Sequence, residues 1–312
     1  MNSVDQAKSA FVAVDWGTSS FRGWLMAADG SVLAESRGSE GMLHCAGSGG
    51  FPPVLRDHRA RLGASDQLPV LICGMAGAKQ GWVEAPYLTT PTRLDALHVG
   101  AIRVDTSGDV RILPGVAQAQ AEQPDVMRGE ETQLLGITEA DFTGLVCIPG
   151  THSKWVLIEN GGIAAFTTYM TGELFSVIAQ HSILMHAVEA VGPLTQDGAP
   201  FREGLATARD MPGGLTASLF RLRAAQLLGF EQRADGAARL SGLLIGSEIA
   251  DATQRFGGPC QLRLMAAGSL GALYHTALEA SGFDVTVIDA EQASRRGLAK
   301  AAINLWGAQF SA

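Results

Sequence analysis

Apolar and polar positions alternate, turn and alternate again in two separate stretches of the chain. In residues 11–30, FVAVDWGTSSFRGWLMAADG, an apolar strand runs into Gly17-Thr18, resumes as a second strand and stops at Asp29-Gly30. In residues 145–161, LVCIPGTHSKWVLIENG, the same order recurs around Gly150-Thr151 and Asn160-Gly161. Asp-Gly and Asn-Gly supply the positive φ angles of tight hairpin turns, so the pattern predicts two β-hairpins. SVLAES adds a third strand after the first turn. The continuous apolar run PVLIC at residues 69–73, closed by Gly74, predicts a strand buried on both faces. Further strands are expected over 98–104 and 109–113, with a turn at Ser107-Gly108. Helical spacing is expected over 125–136, 172–189, 211–230 and 242–256. The chain ends as strand, turn, helix, strand and helix: RLMAAG, SLGALYHTALEASG, DVTVID, EQASRRGLAKAAINLW. Strands interleaved with helices predict α/β layers.

Composition narrows the class. The 312 residues suffice for two domains, with a break expected at residues 136–144, just before the second hairpin. Hydrophobic content of 46% with 17% charged residues is that of a globular chain with a sizeable core. The 38 glycines are spread along the chain, so they read as tight turns and not as a linker. A net charge of −8 argues against a nucleic-acid surface, which needs a Lys/Arg-rich face. It leaves ATP open, because local backbone donors and a few cations outweigh a net negative field. The start MNSVDQAKSA has neither the basic opening nor the apolar run of a secretory signal. No run approaches the ~20 apolar residues of a membrane helix. Cys45, Cys73, Cys147 and Cys260 are scattered and form no close pair, which argues against a metal-thiolate site. They read as small core residues in a reducing, cytoplasmic compartment.

A tight Gly-Thr bend between strands turns several backbone N–H groups toward one point, and such nests bind phosphate. Two nests on two halves of one chain predict a polyphosphate gripped at both ends. Asp15 stands two residues before Gly17, where a carboxylate suits Mg²⁺ held through waters. An Asp that only caps the bend would look the same. Thr18, Ser19 and Ser20 offer hydroxyls that ordinary turn chemistry also explains. Arg22 suits a phosphate or an acid equally. In the second copy Pro149 replaces the carboxylate, and His152 and Lys154 share a face of the following strand. Glu130 and Glu131 open a helix at the expected domain break. The helix macrodipole accounts for two acids there, and so does a general base within reach of a substrate hydroxyl. Met265 to Gly271, MAAGSLG, is a strand, a glycine turn and a helix start. Residues 74–88 form a long irregular segment with three glycines, Gln80 and Trp82. Such loops often meet ligands, though Trp82 packed on the core is an equal reading.

VAVDWGTSS, then IPGTHSKW about 130 residues later, then AAGSLG resemble the phosphate-1, phosphate-2 and adenosine segments of the sugar kinase, actin and Hsp70 superfamily. DWGTSSFRGW, GMAGAKQGWVEAPYL, MRGEETQLLG, IPGTHSKWVLI and YMTGELFSVI, in that order, narrow the resemblance to the 2-dehydro-3-deoxygalactonokinase family over residues 11–306. The resemblance implies an α/β fold of two ribonuclease H-like (actin-like ATPase) domains around a central nucleotide cleft. They are expected at 1–140 and 141–312, with the last helix free to pack back on the first. It implies phosphorylation of the 6-hydroxyl of 2-dehydro-3-deoxygalactonate by MgATP, in galactonate and galactose breakdown. Gly17, Thr18 and Ser19 would hold one side of the triphosphate, Gly150 and Thr151 the other, and Gly268 and Ser269 the adenosine. Asp15 would hold Mg²⁺. Superfamily kinases carry an Asp after a small residue ahead of a helix, just upstream of phosphate-2; Gly129-Glu130 stands in that place with Glu for Asp, which favours Glu130 over Glu131 as the base. Gln80, the Gly81 amide, Trp82 and Arg128 are the expected sugar-acid contacts. No nucleic acid or membrane partner is expected, and a homodimer is left open. The rivals are a kinase for a related sugar or keto acid, an actin-like ATPase without a sugar substrate, and a metabolite-binding protein without catalysis.

Overall fold

The computed structural model describes residues 9–47, 50–189 and 198–310. The first eight residues, where the absence of a signal was read, lie outside them. The first elements are β1 (Ser9–Trp16), β2 (Phe21–Ala27), β3 (Val32–Gly38), α1 (Met42–Gly47), α2 (Phe51–Leu62), β4 (Val70–Gly74), β5 (Tyr87–Thr89) and β6 (Thr92–Arg93). Then come β7 (Ile102–Arg103), β8 (Val110–Ile112), β9 (Gly115–Gln118), β10 (Asp125–Met127), α3 (Glu130–Ile137), β11 (Gly144–Ile148), β12 (Ser153–Glu159) and β13 (Gly162–Tyr169). The last are α4 (Thr171–His181), α5 (Ala199–Asp210), α6 (Leu215–Leu227), α7 (Arg233–Phe256), β14 (Gln261–Met265), α8 (Gly268–Ala280), β15 (Asp284–Ile288) and α9 (Ala290–Phe310). The chain is mixed α/β. It divides into one compact unit of Met1–Thr143, Glu159–Ala165 and Ala290–Ala312, and a second of Gly144–Ile158 and Phe166–Asp289.

In unit 1 the hairpin β1–β2 extends into a sheet of order β3-β2-β1-β4-β8-β7. β1 is antiparallel to β2 and parallel to β4, which is parallel to β8. The alternation read in the sequence buries Val12, Val14 and Trp16 of β1, and Val70 and Ile72 of β4 join them in one core with Phe51 and Leu55 of α2. A small sheet of order β10-β9-β5 also belongs to this unit. Gly162 and Ile163 pair with Arg93 and Thr92, so the second hairpin's turn and the start of β13 belong to unit 1.

Unit 2 repeats the plan. Its order β15-β14-β11-β12-β13 mirrors β8-β4-β1-β2-β3, with β11 antiparallel to β12 and parallel to β14. Cys147, Trp155, Leu262 and Leu264 pack there against Phe201 of α5 and Ile245 of α7.

The C-terminal α9 packs on α3 within unit 1, and two glycines let the helices touch. A Cβ at Gly136 would lie 2.0 Å from the Ala293 carbonyl oxygen, and one at Gly297 would lie 1.8 Å from that of Thr132. Backbone cannot yield as a side-chain tip does, so Gly297→Ala is expected to destabilise the protein by about 3 kcal/mol through overpacking. A lowered urea midpoint at unchanged m-value is the measurement that shows it.

Several expected boundaries move. Residues 125–127 are a strand, and the helix starts at Glu130. The helix expected at 172–189 stops at His181 and yields to a 3₁₀ turn, Ile183–His186. The one expected at 211–230 is limited to Leu215–Leu227, between Gly213 and Gly229 with φ of 78° and 76°. The one expected at 242–256 begins earlier, at Arg233. Helix α5 was not expected, because Pro200 and Gly204 interrupt its pattern. Pro is tolerated in the first turn, and Gly204 is needed where a Cβ would sit 2.4 Å from the Arg239 carbonyl oxygen. Cys45, Cys73 and Cys147 are buried as expected, but Cys260 is exposed. Among the described residues no helix is long and apolar enough to cross a membrane.

Candidate active site

The first bend leaves two of its amides without an acceptor among the described residues. Strand pairing runs to Trp16 opposite Phe21 and leaves residues 17–20 as the bend. The Gly17 N–H donates to the Ser20 carbonyl at 2.9 Å, so Gly17 shapes the turn and does not donate outward. The carbonyls of Gly17 and Thr18 accept from the N–H groups of Met42 and Leu43 at 3.0 and 3.1 Å. Among the described residues the N–H groups of exposed Thr18 and Ser19 meet no acceptor. Gly41 makes this possible, since a Cβ there would lie 2.5 Å from the Ser19 backbone.

The second bend follows the same logic. The Thr151 carbonyl accepts from Glu173 N–H at 3.0 Å. Gly172 presses on Gly150, whose carbonyl oxygen would lie 2.5 Å from a Cβ at Gly172. Among the described residues the Gly150 and Thr151 N–H groups meet no acceptor. Counting back two residues from the glycine, the partner of Asp15 is Ile148 and not Pro149. The bend is acid-free as expected, by a buried isoleucine. Lys154 is buried and its Nζ donates to the His152 carbonyl at 3.0 Å, tying the bend back. His152 pairs with Glu173 at the surface. Gly150, Thr171, Gly172, Ser241, Ser269 and Tyr274 line a cavity of about 190 Å³ in unit 2, with apolar side chains completing its walls. Gly268 makes the turn into α8 with φ of 65°, and Ser269 sits on the cavity wall.

Unit 1 gathers acids beside the first bend. Ser294 of α9 donates to Asp15 Oδ2 at 3.2 Å, and Arg22 lies 3.9 Å from the same oxygen. Burial pushes the Asp15 carboxyl up, Arg22 and Ser294 pull it down, and the charges of Glu130 and Glu291 raise it again. A divalent cation would relieve that repulsion. The donors are hard oxygens, the kind that suits Mg²⁺, which takes one or two carboxylates and keeps water and phosphate oxygens. Among the described residues no three metal-ligating side chains form a group of their own.

Glu130 and Glu131 differ. The Glu131 carboxylate is 1% exposed and accepts from Gly129 N–H and the Thr132 hydroxyl. Burial, reinforced by the Glu130 charge, pushes its pKa up to about 8. Glu130 is half-buried and accepts from Arg128 N–H at 3.1 Å. The folded chain therefore holds the Glu131 proton more tightly than the unfolded chain does. Its stabilising contribution is complete below about pH 4.5, declines as the pH rises, and is lost above about pH 8. Glu131→Gln lacks this titration. Its melting temperature relative to wild type is expected to rise steadily from pH 5 to pH 8 (on the order of a few degrees), as read by thermal unfolding at intervals across that range.

The loop at residues 74–88 opens with a 3₁₀ turn, Met75–Gly77. Gln80 is exposed. The Gly81 N–H is spent on the Ala78 carbonyl at 2.8 Å, so it is not available as the substrate donor expected from sequence. Half-buried Trp82 stacks on Phe51 at 5.7 Å and meets the edge of Trp16 at 6.2 Å, which makes it part of the core margin. Arg128 donates Nη2–H to the Ala85 carbonyl at 2.8 Å and lies 4.3 Å over the Tyr87 ring. Its Nε and Nη1 are buried without a hydrogen-bond partner among the described residues. Gly77 leaves the room, since a Cβ there would lie 2.9 Å from Nη1.

Sequence reading missed Gly41, Gly172, Ser294 and Glu248. The first three show no periodic signal. Glu248 does carry one, as a lone acid in the apolar run LLIGSEIA. Residues 15–301 match the 2-keto-3-deoxy-galactonokinase family. The chain is 48% identical over 299 residues to the probable 2-dehydro-3-deoxygalactonokinase DgoK1 of Rhizobium meliloti (strain 1021), covering 95% of this chain and 97% of that one. It is 33% identical over 289 residues to the 2-dehydro-3-deoxygalactonokinase of Escherichia coli (strain K12), covering 92% and 96%. A crystal structure from Sinorhizobium meliloti, described as that of a 2-dehydro-3-deoxygalactonokinase candidate, superposes with a TM-score of 0.91. It is 48% identical and covers 95% of this chain and 99% of that one.

Proposed function

The chain belongs to the 2-keto-3-deoxy-galactonokinase family, and from that premise we propose that it transfers the γ-phosphoryl group of ATP to the 6-hydroxyl of 2-dehydro-3-deoxygalactonate. The observation that supports this most is the cavity in unit 2. Gly150 of the second bend and Ser269 of the glycine turn, far apart in sequence, line the same space. A largely apolar cavity at Gly150, where the Gly150 and Thr151 N–H groups meet no acceptor among the described residues, suits a base and its phosphates. We read the repeated strand order as two ribonuclease H-like cores, one per unit.

Phosphoryl transfer needs positioning and charge neutralisation more than covalent help. The amides of Thr18 and Ser19, and of Gly150 and Thr151, bind phosphate oxygens. Asp15 would hold Mg²⁺, which when bound neutralises charge on the β- and γ-phosphates. Glu130 accepts the proton of the 6-hydroxyl as that oxygen bonds to the γ-phosphorus. The bond to the β–γ bridging oxygen breaks, and ADP leaves with the electron pair. The substrate's carboxylate needs charge-assisted donors, and Arg128 carries N–H groups on Nε and Nη1 that have no hydrogen-bond partner among the described residues. Gln80 and the exposed side of Trp82 serve the hydroxyl-bearing end.

An ADP-release assay across 2-keto-3-deoxy acids and hexoses tests the reading. Turnover should be greatest with the galactonate form. Equal or greater turnover with its gluconate epimer would move the assignment to a related keto-acid kinase. Slow ATP hydrolysis indifferent to every sugar acid would favour an actin-like ATPase.

A further inference from the structure

Glu248 lies on α7, is 3% exposed, and carries four donors on one carboxylate. Trp155 Nε1–H donates to Oε1 at 2.8 Å. Ser153 Oγ and Tyr274 OH donate to Oε2 at 2.6 and 2.7 Å, and Thr171 Oγ1 donates to the same oxygen. A carboxylate has about four lone-pair sites, so this one is saturated. Burial pushes its pKa up while the hydroxyls and the indole pull it back.

The donors come from three segments. Ser153 and Trp155 begin β12, directly after the Gly150-Thr151 bend. Thr171 is the first residue of α4, whose next two residues pack on and hydrogen-bond to that bend. Tyr274 lies on α8, the helix that starts at Gly268-Ser269. Thr171 and Tyr274 also line the cavity. An isolated buried carboxylate is costly, and among the described residues no cation pairs with Glu248. Apolar residues would pack the same volume without that cost. What the acid adds is geometry: it fixes all three segments to one carboxylate.

We propose that Glu248 is the positioning residue of the nucleotide side of unit 2, holding the second bend, the start of α4 and, through Tyr274, helix α8 in the arrangement that receives ATP. The inference rests on the proposed nucleotide site. It concerns ATP and not the sugar acid, whose proposed contacts all belong to unit 1.

Glu248→Gln keeps the volume and an acceptor oxygen. The indole N–H can only donate, so it takes the amide oxygen. The NH₂ end then faces three hydroxyls with two N–H groups and no acceptor, one hydroxyl loses its partner, and the segments shift. The Kd for a non-hydrolysable ATP analogue and the KM for ATP are expected to rise about tenfold, the cost of one unsatisfied buried donor. The KM for the sugar acid and kcat at saturating ATP should stay within about twofold. Ser153→Ala removes one donor that is not part of the lining of that cavity; it should raise the KM for ATP about threefold, and it decides the matter if Glu248→Gln does not fold. Unchanged ATP affinity in a folded Glu248→Gln, or in Ser153→Ala where Glu248→Gln fails to fold, would overturn the proposal. So would an equal loss in kcat and both KM values, which marks a merely structural acid. A wild-type protein that binds no ATP analogue would sink the functional reading itself, whereas wild-type binding with an unaltered variant sinks this inference alone.

Discussion

Glu130→Gln is expected to lower kcat by about 10²–10⁴-fold, the usual contribution of a positioned general base, with the KM for ATP little changed. Two adjacent glutamates compete for the role, and their surroundings separate them. Glu131 has both oxygens engaged by the Gly129 N–H, is 1% exposed, and keeps its proton to about pH 8. A carboxylic acid that is protonated at neutral pH cannot take another proton, and a buried one cannot reach a hydroxyl. Glu130 is half-buried and lies close enough to Asp15 for their charges to interact. Steady-state kinetics at saturating ATP on both variants is the measurement. A Glu131→Gln protein that loses more kcat than Glu130→Gln would transfer the role to its neighbour.

Asp15→Asn is expected to reduce kcat/KM on the order of 10³-fold, the scale of several kcal/mol of metal-assisted charge stabilisation, and to raise the Mg²⁺ concentration needed for half-maximal rate. The carboxylate is held between opposing influences: burial and two neighbouring acids disfavour its charge, and Arg22 and Ser294 favour it. An amide keeps the shape and the acceptor for Ser294 but removes the charge a cation needs. It also leaves Arg22 without its acid at 3.9 Å. A Mg²⁺ titration of rate compares the two proteins. An Asn variant with the wild-type Mg²⁺ dependence would return Asp15 to the role of a bend cap.

The parts of this site that are local in sequence could be read there. Gly17-Thr18 and Gly150-Thr151 bend as the strand–Gly–Thr pattern requires, and Gly30, Asn160 and Gly161 take the positive φ that their turns demand. Glu130 opens its helix, and Gly268 turns β14 into α8. What could not be read acts across distance. Gly41 and Gly172 matter because another backbone comes within 2.5 Å of where their side chains would be, and no window of sequence contains both partners. Ser294 reaches Asp15 from the far end of the chain. Glu248 looked like one polar position in an apolar helix, and only the fold brings four donors to it. The Gly81 amide failed for the converse reason, since loop character does not reveal that a turn had already claimed it.

Helix α9 returns the chain to unit 1 after the whole of unit 2 has passed. Synthesis therefore completes unit 2 before unit 1 can close. Unit 2 has all its residues once 289 has emerged, while the carboxylate at position 15 still waits for the serine at 294. Domains generally mature in the order of synthesis; here the unit that starts first finishes second, and a ribosome stalled between residues 289 and 294 would hold a closed second unit and an unfinished first strand.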